Sequence, residues 1–213
     1  MCGESRKNLY IREYEMIKYY LKNAVLPFVY LFFMAITAFG ILAIQNDSLV
    51  WLKYVLLALN LGLYLFIVAA YAYKLGQDAL KTRNSNDLER KHMVLTGELR
   101  PLKENEEYKP HKGFIIGLTS CVPLIILMII HTIMILCGGG NGFGVAASMV
   151  YLAFYAFFRV GGAEAPSPAT FYFTLIALPV IVATCGIAYY LGAKKIQNQY
   201  DKIAENQKRI YGE

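Results

Sequence analysis

Four stretches of this chain contain no lysine, arginine, aspartate or glutamate: residues 24–44, 54–73, 114–139 and 168–193. A water-facing surface needs interspersed charge, so gaps of this length exclude an ordinary soluble domain. Charged residues reach only 17% of the chain against 57% hydrophobic, a balance for which lipid is the natural solvent. Each gap is near or above the roughly 20 residues that carry an α-helix across ~30 Å of hydrocarbon.

Other absences narrow the reading further. The four cysteines, Cys2, Cys121, Cys137 and Cys185, show no C-x-x-C or Cys/His spacing, which excludes a disulfide framework and a zinc-finger site. No glycine-rich phosphate loop, nucleophile elbow or metal motif occurs. No catalytic residue, cofactor site or metal site is therefore assigned, and the reading leans away from an enzyme. No cleavable leader is expected either, because Arg6, Lys7, Arg12, Lys18 and Lys22 are mixed with Glu4, Glu13 and Glu15 ahead of the first apolar run.

What charge there is lies between the gaps, and it is asymmetric. Those five basic residues precede the first run, the connection 74–112 holds nine more, and Lys194, Lys195, Lys202, Lys208 and Arg209 follow the last run. Residues 45–48 and 138–141 hold none. By the positive-inside rule the basic segments are cytoplasmic and the two turns are outside. The formal net charge of +6 is thus met by lipid phosphates, and nucleic acid is not an expected partner.

The expected fold is an all-α, polytopic transmembrane helical bundle forming a single membrane domain. Spans are placed at about residues 24–44, 50–74, 114–137 and 168–192, with a cytoplasmic connection at 75–112 and a cytoplasmic tail at 193–213. A fifth apolar stretch, 143–159, would put the basic tail outside if it crossed. It is short, and Gly144, Ser148, Tyr151, Tyr155, Arg159 and Gly162 recur on one helical face, so it is read as an interfacial or re-entrant helix, with a fifth span as the alternative. Residues 8–22 and the tail from 193 each show apolar residues at helical spacing among charges, as amphipathic cytoplasmic helices do. Within the connection, Asn84, Ser85, Asn86 and Asp87 are expected to cap a helix running to Leu95, and residues 101–110 to form an irregular linker. Pro123 and Pro179 are expected to kink their helices.

The second span ends Tyr73-Lys74-Leu75-Gly76 and the last ends Tyr189-Tyr190-Leu191-Gly192. This match hints at two parallel hairpins, a duplicated in-out-in unit. Polar residues at membrane depth are few. Lys53, Asn60, Tyr64 and Tyr71 share a face of the second span, and His131 lies deep in the third. Asn60, Tyr64 and His131 are the candidate intramembrane polar site, read either as a substrate path or, more simply, as interhelical hydrogen-bonding groups.

The sequence therefore points to an integral membrane protein of the bacterial cytoplasmic membrane with both termini inside. Two functions are carried forward. One is a small non-enzymatic subunit or assembly factor that meets another membrane protein through its tail and connection. The alternative is a small transporter or substrate-binding component built from two hairpins.

Overall fold

The computed structural model describes residues 2–44, 49–138, 154, 156, 157, 160 and 173–211. Every element among them is helical: α1 (Cys2–Leu42), α2 (Val50–Thr96), a 3-10 turn (Glu104–Glu106), α3 (Lys112–Ser120), α4 (Val122–Leu136), a second 3-10 turn (Phe173–Ile176) and α5 (Ala177–Tyr211). Three helices, α1, α2 and α5, are long and apolar enough to cross a membrane, and α3 with α4 makes a fourth if the bent pair is one span. Phe32, Phe33, Phe39, Leu59, Leu63, Phe66, Ile126, Ile129 and Ile133 point outward from these helices, which is favourable only where the surroundings are hydrocarbon.

Named contacts fix the directions of the helices. Thr37 of α1 meets Asn60 of α2 while Asn23 meets Tyr71, so α1 and α2 are antiparallel. Gly113 and Gly117 of α3 face Tyr189 and Val182 of α5 in reverse order, so these two are antiparallel as well. Leu80 of α2 clusters with Ala193 and Ile196 of α5, near the place where Gly76 meets Tyr189, so α2 and α5 run parallel. The result is two antiparallel hairpins placed side by side.

Small residues set how closely the hairpins approach. A Cβ on Gly76 would collide with the Tyr189 carbonyl, and one on Gly192 would collide with the Tyr73 carbonyl. The two Tyr-x-Leu-Gly ends noted in the sequence thus pack reciprocally, each glycine under the tyrosine backbone of the other helix. Gly113 and Gly117 do the same for α3 against α5, and Gly186 receives the Phe114 ring. Small residues are what permit helix backbones to meet in lipid. Around this crossing, Tyr64, Val68, Ala72, Leu124, Ile181, Cys185 and Tyr189 form the main buried cluster.

Two expectations need correction. Residues 8–22 are not a separate interfacial helix, because α1 is continuous from Cys2 to Leu42 with Pro27 inside it. The Asn84–Asp87 group caps nothing: α2 runs unbroken through it to Thr96, where Gly97 closes the helix with φ 73° and its N–H on the Met93 carbonyl. The reason is tertiary, since Asn86 is spent on the loop beyond the helix. The kink expected at Pro123 is present, since α3 ends at Ser120 and α4 starts at Val122 with a bend of 41° that leaves the pair readable as one span. Pro123 has no N–H for the Thr119 carbonyl, and the Thr119 and Ser120 hydroxyls donate to the Ile115 and Gly117 carbonyls, a pattern that also bends helices. Pro179, by contrast, lies in the first turn of α5, where proline costs no intrahelical hydrogen bond.

Of the 143–159 stretch, the described residues 154, 156 and 157 are helical, as is 160. Phe154 joins the main cluster and Ala156 packs with Ala35, Ala38 and Leu57, placing both against α1 and α2. Gly138 opens the charge-poor turn 138–141 with φ 78°; the rest of that turn and the polar stripe of 144–162 lie outside the described residues.

Candidate functional site

Of the three polar residues singled out at membrane depth, Asn60 bonds to α1, whereas Tyr64 and His131 are buried in the bundle. Asn60 is committed to α1: its Nδ2 donates to the Met34 carbonyl at 3.0 Å and its Oδ1 accepts from the Thr37 hydroxyl at 2.7 Å. Thr37 also donates to Met34, so one helical turn of α1 and one amide of α2 form a closed knot. Tyr64 and His131 instead lie in the interior, each only 1% exposed. The Tyr64 ring meets Phe154 edge-on at 6.5 Å between centroids. His131 follows Leu124 and Met128 on the buried face of α4. Toward the basic end, Asn23 donates to its own helix at Tyr19 and accepts from the Tyr71 hydroxyl at 2.9 Å, a second polar tie between α1 and α2. Lys53 is half-buried near the start of α2.

A denser polar site, missed in the sequence, occupies the basic end. Lys112, the first residue of α3, is 2% exposed. Its ammonium donates to the carbonyls of Asn105 and Glu107, each at 2.6 Å, and stands 5.0 Å from the centre of the Tyr19 ring. A buried ammonium is tolerable only when its donors are met and charge or π density faces it. Here the loop carbonyls and α1 supply both, so Lys112 joins α1, α3 and the 104–107 turn. Two of its three N–H bonds are spent on loop carbonyls, which makes it a structural post, and burial lowers its pKa to about 8.

The same loop is strapped to the α2 extension. Glu107 accepts from Asn86 at 2.7 Å and from Arg90 at 2.6 Å, while Arg90 also pairs with Asp87 at 2.8 Å. The Lys103 N–H donates to Asn86, and the Tyr108 N–H donates to the Ala79 carbonyl at 3.1 Å. The Tyr108 ring stacks on Tyr189, 5.5 Å away and 16° from parallel. Burial there raises the Tyr108 phenol above its usual range, with the Tyr190 phenol adding to the shift and Arg83 opposing it. The expected irregular linker is irregular in backbone but fixed in place. Lys112 and Glu107 were legible only as members of a charged loop; nothing in their spacing marked one as buried and the other as a two-donor acceptor.

Polar cavities border this loop among the described residues. One of about 390 Å³ lies between α1 and α2, bounded by Lys18, Lys22, Leu75, Asp78 and Glu106. A second, of about 460 Å³, is lined by Tyr20, Arg90, Glu107, His111 and Lys112. A third, of about 370 Å³, is lined by Asn86, Glu89, Arg100 and Lys103. Among the described residues no group of three or more His, Cys, Asp or Glu is placed to hold a metal ion. Deeper, an apolar groove of about 330 Å³ follows Ile125, Met128, Ile129, Ile133 and Leu175.

Comparison with protein-family models, with curated proteins and with solved structures found none that matches this chain.

Proposed function

We propose that this chain is a small non-enzymatic subunit or assembly factor of a membrane complex, held in a bacterial cytoplasmic membrane by four crossings with both termini inside, and that its cytoplasmic helices receive a partner protein. The observation that carries this reading is on α5. Tyr189, Ala193 and Ile196 pack against α2, and Tyr200, Ile203 and Ile210 continue the same stripe at steps of four, three and seven, 43%, 53% and 73% exposed among the described residues. A stripe of that spacing is the seam by which one helix packs on another. The end of α2 repeats the feature: Leu88 is exposed, Leu95 is 86% exposed and Leu99 beyond it is 95% exposed. Uncovered leucines on a soluble extension mark a binding surface more often than a surface made for water.

Charge distribution supports the orientation, since the extensions and the cap hold most lysines and arginines. The transporter alternative is weaker, because the Asn60 amide is already engaged by Met34 and Thr37 of α1 and is not left open to a substrate.

The test is co-purification of the tagged full chain in mild detergent, compared with Ile203→Asp and Leu95→Asp variants. A stoichiometric protein that stays with the wild type and is lost from both variants supports the reading. A wild type carrying only lipid overturns it.

A further inference from the structure

We propose that the cavity between α1 and α2 is a headgroup site for an aminophospholipid, with Lys18 and Lys22 meeting the phosphodiester and the Asp78 and Glu106 carboxylates meeting the primary ammonium. The inference rests on the membrane-spanning reading but not on the protein partner.

Position is the first argument. The charge-free run of α1 begins at Ala24, two residues after Lys22, and that of α2 ends at Tyr73, two residues before Leu75. The cavity includes both Lys22 and Leu75 in its wall, so it opens where hydrocarbon gives way to headgroups. From Lys18 and Lys22, steps of three and four lead along α1 to Val25 and Val29, both exposed apolar residues. A headgroup in the cavity would therefore have an outward-facing apolar strip below it for an acyl chain.

Charge is the second. The cavity holds both signs, yet its charges do not neutralise one another. Lys18, Lys22, Glu15 and Glu106 form no ion pair among the described residues, and Asp78 reaches only Lys81, at 3.7 Å with both side chains more than half exposed. Contrast the neighbouring cap, where Arg90, Asp87, Glu107 and Asn86 are closed on each other. Cations on α1 facing carboxylates on α2 and the 3-10 turn are complementary to a zwitterion. A purely anionic headgroup would meet the carboxylates unfavourably, and a quaternary ammonium would offer them no N–H donor. The volume, about 390 Å³, lies within the range of small-molecule pockets.

The experiment is native mass spectrometry of the purified full chain supplied with equal amounts of phosphatidylethanolamine, phosphatidylglycerol and phosphatidylcholine. One phosphatidylethanolamine per chain should be retained at least fivefold over either competitor. Lys18→Gln with Lys22→Gln should lower that retention about tenfold, and Asp78→Asn with Glu106→Gln should turn the preference toward phosphatidylglycerol. All four side chains are at the surface, and an unchanged size-exclusion profile verifies that the variants fold. Equal retention of phosphatidylglycerol by the wild type, or variants that bind as the wild type does, overturns the proposal. Displacement of the lipid by millimolar glycerophosphoethanolamine, with the soluble compound remaining bound, overturns a membrane source for the ligand. Extraction of the chain from membranes by alkaline carbonate would sink the spanning reading itself, whereas a carbonate-resistant chain without lipid preference sinks only this inference.

Discussion

Gly192 lies directly beneath the Tyr73 carbonyl of the neighbouring helix, with no room for a Cβ, and Gly76 stands in the same relation to Tyr189. The two contacts make α2 and α5 a mutually locked pair at the level where both leave the apolar region. Everything on the basic side, including the stacked Tyr108 and the Lys112 post, is built on that crossing.

Gly192→Ala should therefore lower stability by about 1–3 kcal/mol, the usual cost of forcing extra volume between packed backbones. Gly62 is the control: nothing lies within 4 Å of its would-be Cβ, so Gly62→Ala should leave the melting temperature unchanged or raise it slightly. Thermal unfolding in detergent reads both. Equal losses would mean that the close approach does not limit packing.

Asn60→Leu should cost about 0.5–1.5 kcal/mol, the range of interhelical hydrogen bonds in membrane proteins. Combined with Thr37→Val, the loss should be less than the sum, because both changes dismantle one knot. Additive losses in a double-mutant cycle would show that the two groups act independently.

Glu107→Ala removes the acceptor shared by Asn86 and Arg90. The loop should loosen while the bundle stays intact. Hydrogen exchange at the Tyr108 amide, which donates to Ala79, is expected to quicken by tenfold or more, with little change at Val68 or Ile181. A uniform rise across all helices would instead make the strap part of the global fold.

Truncation after Gln197 removes a helical segment whose described side chains are exposed. Melting temperature should hold, and partner retention should be lost. A large fall in stability would show that the segment packs on this chain.

A bacterial alkaline phosphatase fused after Glu213 should be inactive in an intact host cell, because the four crossings proposed above would leave the tail inside. Strong activity would require an odd number and remove the four-span topology.

The apolar runs were plain in the sequence because lipid admits no charge over such lengths, and the helix directions followed from hairpin logic. The Tyr-x-Leu-Gly pair was legible as a repeat, though its reciprocal packing was not, since that depends on a crossing point that sequence does not encode locally. Helix ends outside the apolar runs were misread for a physical reason. Asn84 to Asp87 carries the chemistry of a cap, but Glu107, distant in sequence, claims Asn86 and lets the helix continue. Lys112 was counted with the other loop cations, and only the folded chain separates it from them by burying its ammonium under Tyr19.

The continuity of α2 has a mechanical consequence. Its 47 residues form a rod of about 70 Å, of which roughly the last 30 Å stands clear of the apolar region. With no hinge at residues 84–87, a tilt of about 5° at the membrane would sweep Leu95 sideways by about 3 Å. A movement too small to open a gap between packed helices in lipid would thus arrive at the far tip as a displacement comparable to a side-chain contact, making α2 a lever between the apolar region and its basic end.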